Sequence, residues 1–284
     1  MIHTDNERLL ELISEYLTFT PGAIAPEDVR ALTAEGLAPN EAYMALLAAR
    51  CGLDTTKPED ARLYRGSFPR MIRQHDPAVY EADAYIQAVK PAIGAKEGVD
   101  LVYERIEPME LFVADDFCQD RAGRILPQLG WFDRAFDFPA LREDGLVWMT
   151  VTPNEINTIQ PAVRRSCGKV LTYGLGLGYY AFHCLLKEDV RSVTVVEKNP
   201  AVIEVFTKHL LPFFPRKEDL HIVQADAFDY AESVMPYEGF DTVFTDLWHD
   251  VADGLPLYKQ MKALETPGPN YLYWIEKTLN FYME

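Results

Sequence analysis

The stretch that decides the fold is Lys169–Pro200, which reads KVLTYGLGLGYYAFHCLLKEDVRSVTVVEKNP. An apolar strand over 170–173 leads into alternate glycines within 174–178. A helical run follows, and a second apolar strand over 193–196 ends at Glu197. Glycines suit such a turn because no side chain keeps a ligand from the backbone, and the next helix begins with free N–H groups. The stretch therefore predicts a nucleotide-binding βαβ unit in which Glu197 binds ribose hydroxyls.

Acidic residues also follow the next two predicted strands. A strand over 221–224 is followed by Asp226, and a strand over 240–245 is followed by Asp246. Together with Glu197, they place acidic groups at the carboxyl ends of three successive strands. Open α/β sheets bind ligands at that edge, so the pattern predicts a ligand site there.

Length and composition narrow the class of protein. The 284 residues, 48% of them hydrophobic, are enough for one large or two modest domains with a substantial core. A net charge of −17 disfavours nucleic acid as a partner and favours a small-molecule acceptor. The four cysteines form no Cys-x-x-Cys pair, so we expect no metal site and no disulfide framework. Without an apolar leader or a span-length apolar run, we expect a cytoplasmic protein with no membrane partner.

Residues 1–98 predict a helical N-terminal region. A capping box at Thr4–Glu7 opens a first amphipathic helix, and two more helices are predicted between residues 26 and 52. The stretches 58–74 and 77–90 predict another two. Such a region is typical of a cap or an oligomerisation module, so a homo-oligomer formed through these helices is one expectation.

Residues 99–150 predict a small β-rich segment. Strands over 100–107 and 110–114 are expected to pair, as are strands over 129–136 and 145–151 across a loop. Several aromatic side chains of this segment are expected in its core or on the wall of a substrate pocket. They are Phe112, Phe117, Trp131, Phe132, Phe136, Phe138 and Trp148.

Residues 151–284 predict the nucleotide-binding domain. A helix over 156–166 precedes the glycine strand, and the tail predicts only helices, around 258–264 and 271–282. The sheet is therefore expected to be short of its last strands, unless the β-rich segment supplies them.

Two cofactors compete for a glycine turn with an acidic second-strand tip. A dinucleotide needs Gly-x-Gly-x-x-Gly, but Tyr179 stands at the last position and the third glycine, Gly178, comes one residue early. A pyrophosphate also gains from a nearby basic group, which the turn lacks. These features favour an adenosyl sulfonium over a dinucleotide.

Four motifs, taken in order, resemble a known family. Gly174–Gly178, Glu197, Ala225–Ala227 and Phe240–Asp246 are similar to the successive motifs of class I S-adenosylmethionine-dependent methyltransferases, and more narrowly to the branch containing spermidine synthases. The resemblance covers about residues 150–255. It implies an α/β fold with a Rossmann-like, doubly wound, mainly parallel sheet, preceded by the helical region and the β-rich segment.

The resemblance implies S-adenosylmethionine as the cofactor. Its methionine part would lie over the glycine turn, its ribose hydroxyls on Glu197 and its adenine amino group on Asp226, whose carboxylate is the hydrogen-bond acceptor that an exocyclic amine needs. The cofactor-binding residues expected in this way are Tyr173, Gly174, Leu175, Gly176, Gly178, Glu197, Lys198, Asp226, Ala227 and Asp246.

The resemblance also implies a transferase. In that family, the residue at the position that matches Asp246 abuts the transferred group. In polyamine synthases, this residue deprotonates or orients the attacking amine. His249 is a second candidate because an imidazole suits base catalysis near neutral pH. Trp248 and Asp250 are expected in the substrate pocket. The first expectation is methyl transfer to a small molecule; aminopropyl transfer from decarboxylated S-adenosylmethionine and non-catalytic S-adenosylmethionine binding are the alternatives.

Overall fold

The computed structural model describes residues 2–96 and 98–283, with side chains from residue 6 onward in those ranges. Thr4 of the predicted capping box therefore lies outside the described side chains. The chain divides into two compact units. The helical unit comprises the residues up to Tyr80 together with Arg105–Asp137, and the sheet unit comprises Glu81–Glu104 and the residues from Phe138 onward. Each unit contains residues from both predicted segments 1–98 and 99–150. The predicted division into 1–98, 99–150 and 151–284 stays a prediction.

The helical unit combines a helical layer with a small sheet. Its elements are α1 (Ile2–Phe19), α2 (Pro26–Ala34), α3 (Pro39–Arg50), α4 (Pro58–Met71), β1 (Ile72–Gln74), α5 (Pro77–Glu81, whose last residue belongs to the other unit), β4 (Phe112–Gln119) and β5 (Ile125–Trp131). The sheet has the order β1-β5-β4. In its core, the ring of Tyr43 stacks on Trp131 at 4.6 Å, and the Tyr43 hydroxyl donates to the carbonyl oxygen of Met109 at 3.0 Å.

The sheet unit contains the remaining elements. They are α6 (Ala84–Ala88), β2 (Gly94–Lys96), β3 (Val99–Ile106), β6 (Phe136–Glu143), β7 (Leu146–Thr150), α7 (Pro153–Arg165), β8 (Gly168–Tyr173), α8 (Tyr179–Leu185), β9 (Val190–Glu197), α9 (Pro200–His209), β10 (Leu220–Gln224), α10 (Ala227–Ser233), β11 (Thr242–Thr245), α11 (Val251–Ala263), β12 (Asn270–Tyr273) and α12 (Glu276–Phe281). The last two residues of β3 and the first two residues of β6 belong to the helical unit.

The main sheet has five parallel strands in the order β10-β9-β8-β11-β12. Tyr173 at the end of β8 is level with Val196 on one side and with Thr245 on the other. The chain order reverses on either side of β8, which makes this edge the topological switch point of a doubly wound sheet. The predicted Rossmann-like α/β fold is confirmed.

The sequence prediction was wrong for the end of the chain. Residues 271–282 are not one helix, because Asn270–Tyr273 form β12 in register with β11 and only Glu276–Phe281 are helical. Leu272 and Tyr273 are buried in the sheet, and this burial overrides local helix propensity. Among the described residues no strand lies beyond β12, and the β-rich segment contributes to separate sheets, so the last strands of the family type are absent from this part.

Two strand pairings and one loop that were predicted in the β-rich segment were also wrong. Strands β3 and β4 lie in different sheets, and β6 occupies the residues predicted as a loop. The turn between β6 and β7 is Asp144-Gly145, and both residues have positive φ, at 51° and 82°. Asp-Gly in that conformation is a strong hairpin signal, and it pairs β7 with residues 136–143 in place of the predicted strand over 129–136.

Two predicted helices before residue 91 are shorter than expected. Residues 72–74 leave the helix to form β1, which is parallel to β5. The stretch 77–90 breaks into α5 and α6, because Asp83 accepts hydrogen bonds from the N–H groups of Tyr85 and Ile86 and so starts a new helix.

None of the helices within 2–96 and 98–283 is long and apolar enough to cross a bilayer.

The glycine turn between β8 and α8 has no room for side chains. Gly174, Gly176 and Gly178 have φ values of 95°, 48° and 75°. A Cβ on Gly174 would collide with the backbone carbonyl oxygen of Asp246, and one on Gly176 would collide with the side chain of Met149. The turn is therefore fixed both by its conformation and by close contacts with the end of β11 and with β7.

We expect Gly174→Ala to lower the free energy of unfolding by on the order of 3 kcal/mol, because the new methyl group meets backbone atoms as well as an unfavourable φ. Chemical denaturation of the purified protein measures this loss. Gly239→Ala is the matched control, since Gly239 has a φ of 63° but open space around it, and it should cost only about 1 kcal/mol. Equal losses in the two variants would contradict the steric account.

Candidate functional site

Two cavities meet at the carboxyl ends of β8 and β11. The aromatic cavity, of about 260 Å³, is lined by Trp148, Tyr179, Tyr180, Phe244, Trp248 and Trp274 among others. The turn cavity, of about 380 Å³, is lined by Gly174, Gly176, Glu197, Lys198, Ala227 and Phe228 among others. Four residues line both: Trp148, Met149, Gly174 and Asp246. The two spaces therefore adjoin beside Gly174 and Asp246.

Hydrogen bonds hold the glycine turn against β9. The N–H of Gly174 donates to the carbonyl oxygen of Val196 at 3.0 Å, and the N–H of Leu175 donates to Oε2 of Glu197 at 3.2 Å. The other carboxylate oxygen of Glu197 accepts the N–H of Asn199 at 2.8 Å. A carboxylate has about four lone-pair sites, so Glu197 keeps acceptor capacity for a ligand.

A buried polar cluster supports the helix that follows the turn. The Asp83 carboxylate accepts from the hydroxyl of Tyr179 at 2.9 Å and lies 3.2 Å from Nε2 of His183. Burial opposes ionisation of Asp83, but hydrogen bonds from His183, Tyr179 and the Tyr85 N–H outweigh it and lower the pKa of the carboxyl. The Tyr85 hydroxyl donates to the carbonyl oxygen of Leu177 at 2.7 Å, which ties the same cluster to the turn.

Asp246 lies directly after β11 and lines both cavities. Its N–H donates to the carbonyl oxygen of Tyr173 at 3.0 Å, which fixes the residue against the end of β8. The side chain keeps a solvent-facing side within the cavities, while the surrounding protein excludes most water. This burial raises the pKa of the Asp246 carboxyl to about 7.

A second carboxyl group, Glu155, lines the aromatic cavity and was not predicted. It lies in the first turn of α7, and the Thr150 hydroxyl donates to its Oε1 at 2.8 Å. Burial raises the pKa of Glu155 to about 8; the Thr150 bond opposes that rise and the nearby charge of Asp246 adds to it. The sequence gives no sign of this role, because an acidic residue in a first helical turn is ordinary.

His249 and Trp248 follow Asp246 and also line the aromatic cavity. The imidazole of His249 bonds through Nδ1 to Oδ2 of Asp253 at 2.9 Å, and its ring centre lies 3.8 Å from that of Trp148 in an edge-to-face arrangement. Trp248 is buried against Tyr258, and its indole N–H has no hydrogen-bond partner within the described part of the chain.

Three predicted site residues line neither cavity. The ring of Tyr173 is buried in the core beside Tyr230. Asp226 caps α10 by accepting the N–H groups of residues 228 and 229, and Asp250 caps α11 in the same manner. The other predicted residues line one cavity or both: Gly174, Leu175, Gly176, Gly178, Glu197, Lys198, Ala227, Asp246, Trp248 and His249. The roles assigned to all of these residues stay predictions.

Strand β7 brings two further residues to the site. Trp148 had been expected either in a core or on a pocket wall, and it is half exposed on the walls of both cavities. Met149 was not singled out, yet its side chain packs against Gly176. Strand β7 precedes the glycine turn by some twenty residues, and only the hairpin with β6 reveals that it reaches this edge.

Comparison with known proteins gives structural neighbours only. No protein-family model matches the sequence, and no curated protein matches it. One neighbour is a spermidine synthase solved in complex with the transition-state analogue AdoDATO, with 21% identity and a TM-score of 0.32 over 40% of this chain and 43% of that chain. Another is spermidine synthase from Thermotoga maritima, with 17% identity and a TM-score of 0.35 over 55% of this chain and 61% of that chain.

Both neighbours belong to the branch that the four sequence motifs resemble. The chain spans about half the length of each. Likeness at this level assigns neither a substrate nor a residue role to this chain.

We expect Glu155→Gln to stabilise the protein increasingly as pH rises. A carboxyl whose folded-state pKa is raised contributes stability that is complete below its unfolded pKa, near 4, and is lost as pH rises through the folded value of about 8. The difference in unfolding free energy between variant and wild type should therefore grow between pH 5 and pH 8.5 by on the order of 2 kcal/mol.

Urea denaturation across that pH range measures the difference. Glu232→Gln, at an exposed glutamate on α10, is the control and should give a flat difference. A flat difference for Glu155→Gln as well would contradict the buried, protonated state of this carboxyl.

Proposed function

We propose that this chain is an alkyltransferase that uses an adenosyl sulfonium donor and a small amine acceptor. The observation that carries the proposal is the position of Asp246, which lines both cavities where they adjoin beside the glycine turn. A donor in one cavity and an acceptor in the other would have their reacting atoms next to this carboxyl group. Holding two reactants in that way is a large part of what a transferase contributes.

The turn cavity fits a nucleoside. The glycines leave the backbone open, and Glu197 retains lone pairs that can accept two ribose hydroxyls. Apolar groups of Ala227, Phe228 and Leu257 offer a surface for a purine ring. Asp226 lines neither cavity but adjoins Ala227, which lines the turn cavity. Both of its capping bonds go to Oδ1, so Oδ2 is the oxygen that would accept from an adenine amino group.

The aromatic cavity fits a cation. The rings of Trp148, Trp248 and Trp274 present π faces or edges to it, and Glu155 and Asp246 add two carboxyl groups. Aromatic faces and carboxylates together attract an ammonium group in a partly dry site. Among the described residues no lysine or arginine lines this cavity, so no fixed cation competes with such an acceptor.

Once bound, the donor supplies an electron-deficient carbon on a sulfonium, which the acceptor nitrogen attacks while the electron pair of the breaking C–S bond leaves on a neutral thioether. The protein must exclude water, align the acceptor nitrogen and take up the proton that this nitrogen releases. Asp246, whose pKa is raised to about 7 by burial, suits the alignment of the nitrogen, because its carboxyl group can accept a hydrogen bond from an amine N–H. His249, which lines the same cavity, is the candidate for taking up the proton.

The charges of the site favour a donor without a carboxylate. Three N–H groups of the turn, those of Gly174, Leu175 and Gly178, are already bonded within the protein. A methionine carboxylate beside the turn would also oppose the ionisation of Asp246 and Glu155, which burial already disfavours. An ammonium group in its place would be attracted, so we favour decarboxylated S-adenosylmethionine and aminopropyl transfer.

Methyl transfer from S-adenosylmethionine is the second candidate. It was the first expectation from the sequence, and Lys198 on the wall of the turn cavity is the observation in its favour, since an ammonium side chain can pair with a donor carboxylate. The two reactions leave different nucleosides, so they are separable by product.

We expect the protein to convert decarboxylated S-adenosylmethionine to methylthioadenosine when it is given a panel of diamines and other small amines. Mass spectrometry of the reaction identifies the nucleoside. Formation of S-adenosylhomocysteine from S-adenosylmethionine would instead establish methyl transfer. Binding of the adenosyl compounds without turnover on the whole panel would contradict the proposal and favour a non-catalytic binding protein.

Calorimetry with matched variants controls for the donor site. Glu197→Gln should weaken binding of methylthioadenosine about 10-fold, because a carboxylate bond to a ribose hydroxyl is replaced by a neutral one. Glu232→Gln, at an exposed residue that lines neither cavity, should leave the affinity unchanged. If NAD binds and the adenosyl thioethers do not, the donor class is wrong.

A further inference from the structure

His249 is held at the aromatic cavity from two sides. Nδ1 of its ring bonds to Oδ2 of Asp253 at 2.9 Å, and the indole of Trp148 packs against the ring at a centre distance of 3.8 Å. Its backbone N–H also faces the Asp253 carboxylate, at 3.2 Å from each oxygen. The imidazole therefore has a restricted orientation although its side chain is 38% exposed.

Asp253 is an ionised acceptor at neutral pH. Burial opposes its ionisation, but hydrogen bonds from the N–H of Asp250 and from the ring and N–H of His249 outweigh burial and lower the pKa of the carboxyl. A carboxylate can only accept, so Nδ1 of His249 must carry the hydrogen in this bond. In the neutral imidazole, Nε2 is then the unprotonated nitrogen.

The other charged groups near His249 are acidic. Asp250 adjoins it in the chain, Asp253 bonds to it, and Asp246 and Glu155 line the same cavity. A cationic acceptor entering the cavity would therefore meet acidic groups around His249. The partial exposure of the His249 side chain gives a proton on the ring a route to water.

We propose that Asp253 is a positioning residue that fixes the hydrogen of His249 on Nδ1, so that Nε2 takes the proton of the acceptor amine. The inference rests on the proposed function. In this step an N–H bond of the acceptor ammonium breaks, the proton goes to Nε2 and the electron pair stays on the nitrogen for the new bond to carbon. The imidazolium then returns the proton to water. Asp246 orients the acceptor nitrogen beside the donor.

Nitrogen NMR of histidine-labelled protein tests the position of the hydrogen without any turnover. We expect a protonated Nδ1 and an unprotonated Nε2 for His249 in the wild type, and a mixture of the two tautomers in Asp253→Ala. Asp250→Ala is the matched control: it also removes a cap of α11, but it leaves the bond between His249 and Asp253 in place. A hydrogen on Nε2 of His249 in the wild type would overturn the proposal.

Kinetics test the consequence. His249→Gln should lower kcat about 100-fold and Asp253→Ala about 10-fold, with KM for the donor unchanged in both, because proton transfer is lost and donor binding is not. Glu232→Gln, at an exposed residue that lines neither cavity, is the control for activity and should leave kcat unchanged. An unchanged kcat in His249→Gln would overturn the inference. A wild type without turnover on any amine would contradict the proposed function, and the tautomer of His249 would still decide the positioning role.

Discussion

The site depends on one close contact, in which the backbone of Gly174 passes against the carbonyl oxygen of Asp246 with no space for a side chain between them. This contact joins the ends of β8 and β11 at the switch point of the sheet, and the N–H of Asp246 bonds to Tyr173 beside it. Because the strands meet so closely, the same two residues form the place where both cavities adjoin. The fold constraint and the proposed reaction centre thus coincide.

The chemistry of the site follows from the burial of two carboxyl groups, those of Asp246 and Glu155, among aromatic rings. Asp246 and Glu155 share one cavity and both have pKa values raised into the neutral range, so neither is fully ionised when the cavity holds only water. A cationic acceptor would restore their ionisation, and the energy gained would contribute to its binding. An anionic ligand would have the opposite effect. The same electrostatics therefore favour an amine acceptor and a donor that lacks a carboxylate.

The glycine spacing and the acidic residues correctly predicted the parallel sheet. They also predicted that Glu197, Asp226 and Asp246 lie at the carboxyl ends of its strands, because strand alternation and turn chemistry are local signals. Glu155 and Met149 were not predicted, and Trp148 was predicted only as one of several aromatic residues for a core or a pocket wall. All three reach the site through long-range packing of α7 and β7, which no local pattern encodes. Strand β12 was missed for the same reason, since burial beside β11 rather than residue propensity decides its conformation.

The most direct measurement is a crystal structure of the protein with methylthioadenosine bound. The account predicts that the adenosine lies in the turn cavity with its ribose hydroxyls on Glu197, and that the sulfur lies beside Gly174 and Asp246 and faces the aromatic cavity. A nucleoside bound elsewhere, or one with its sulfur turned away from Asp246, would contradict the claim that the two cavities form one donor–acceptor site.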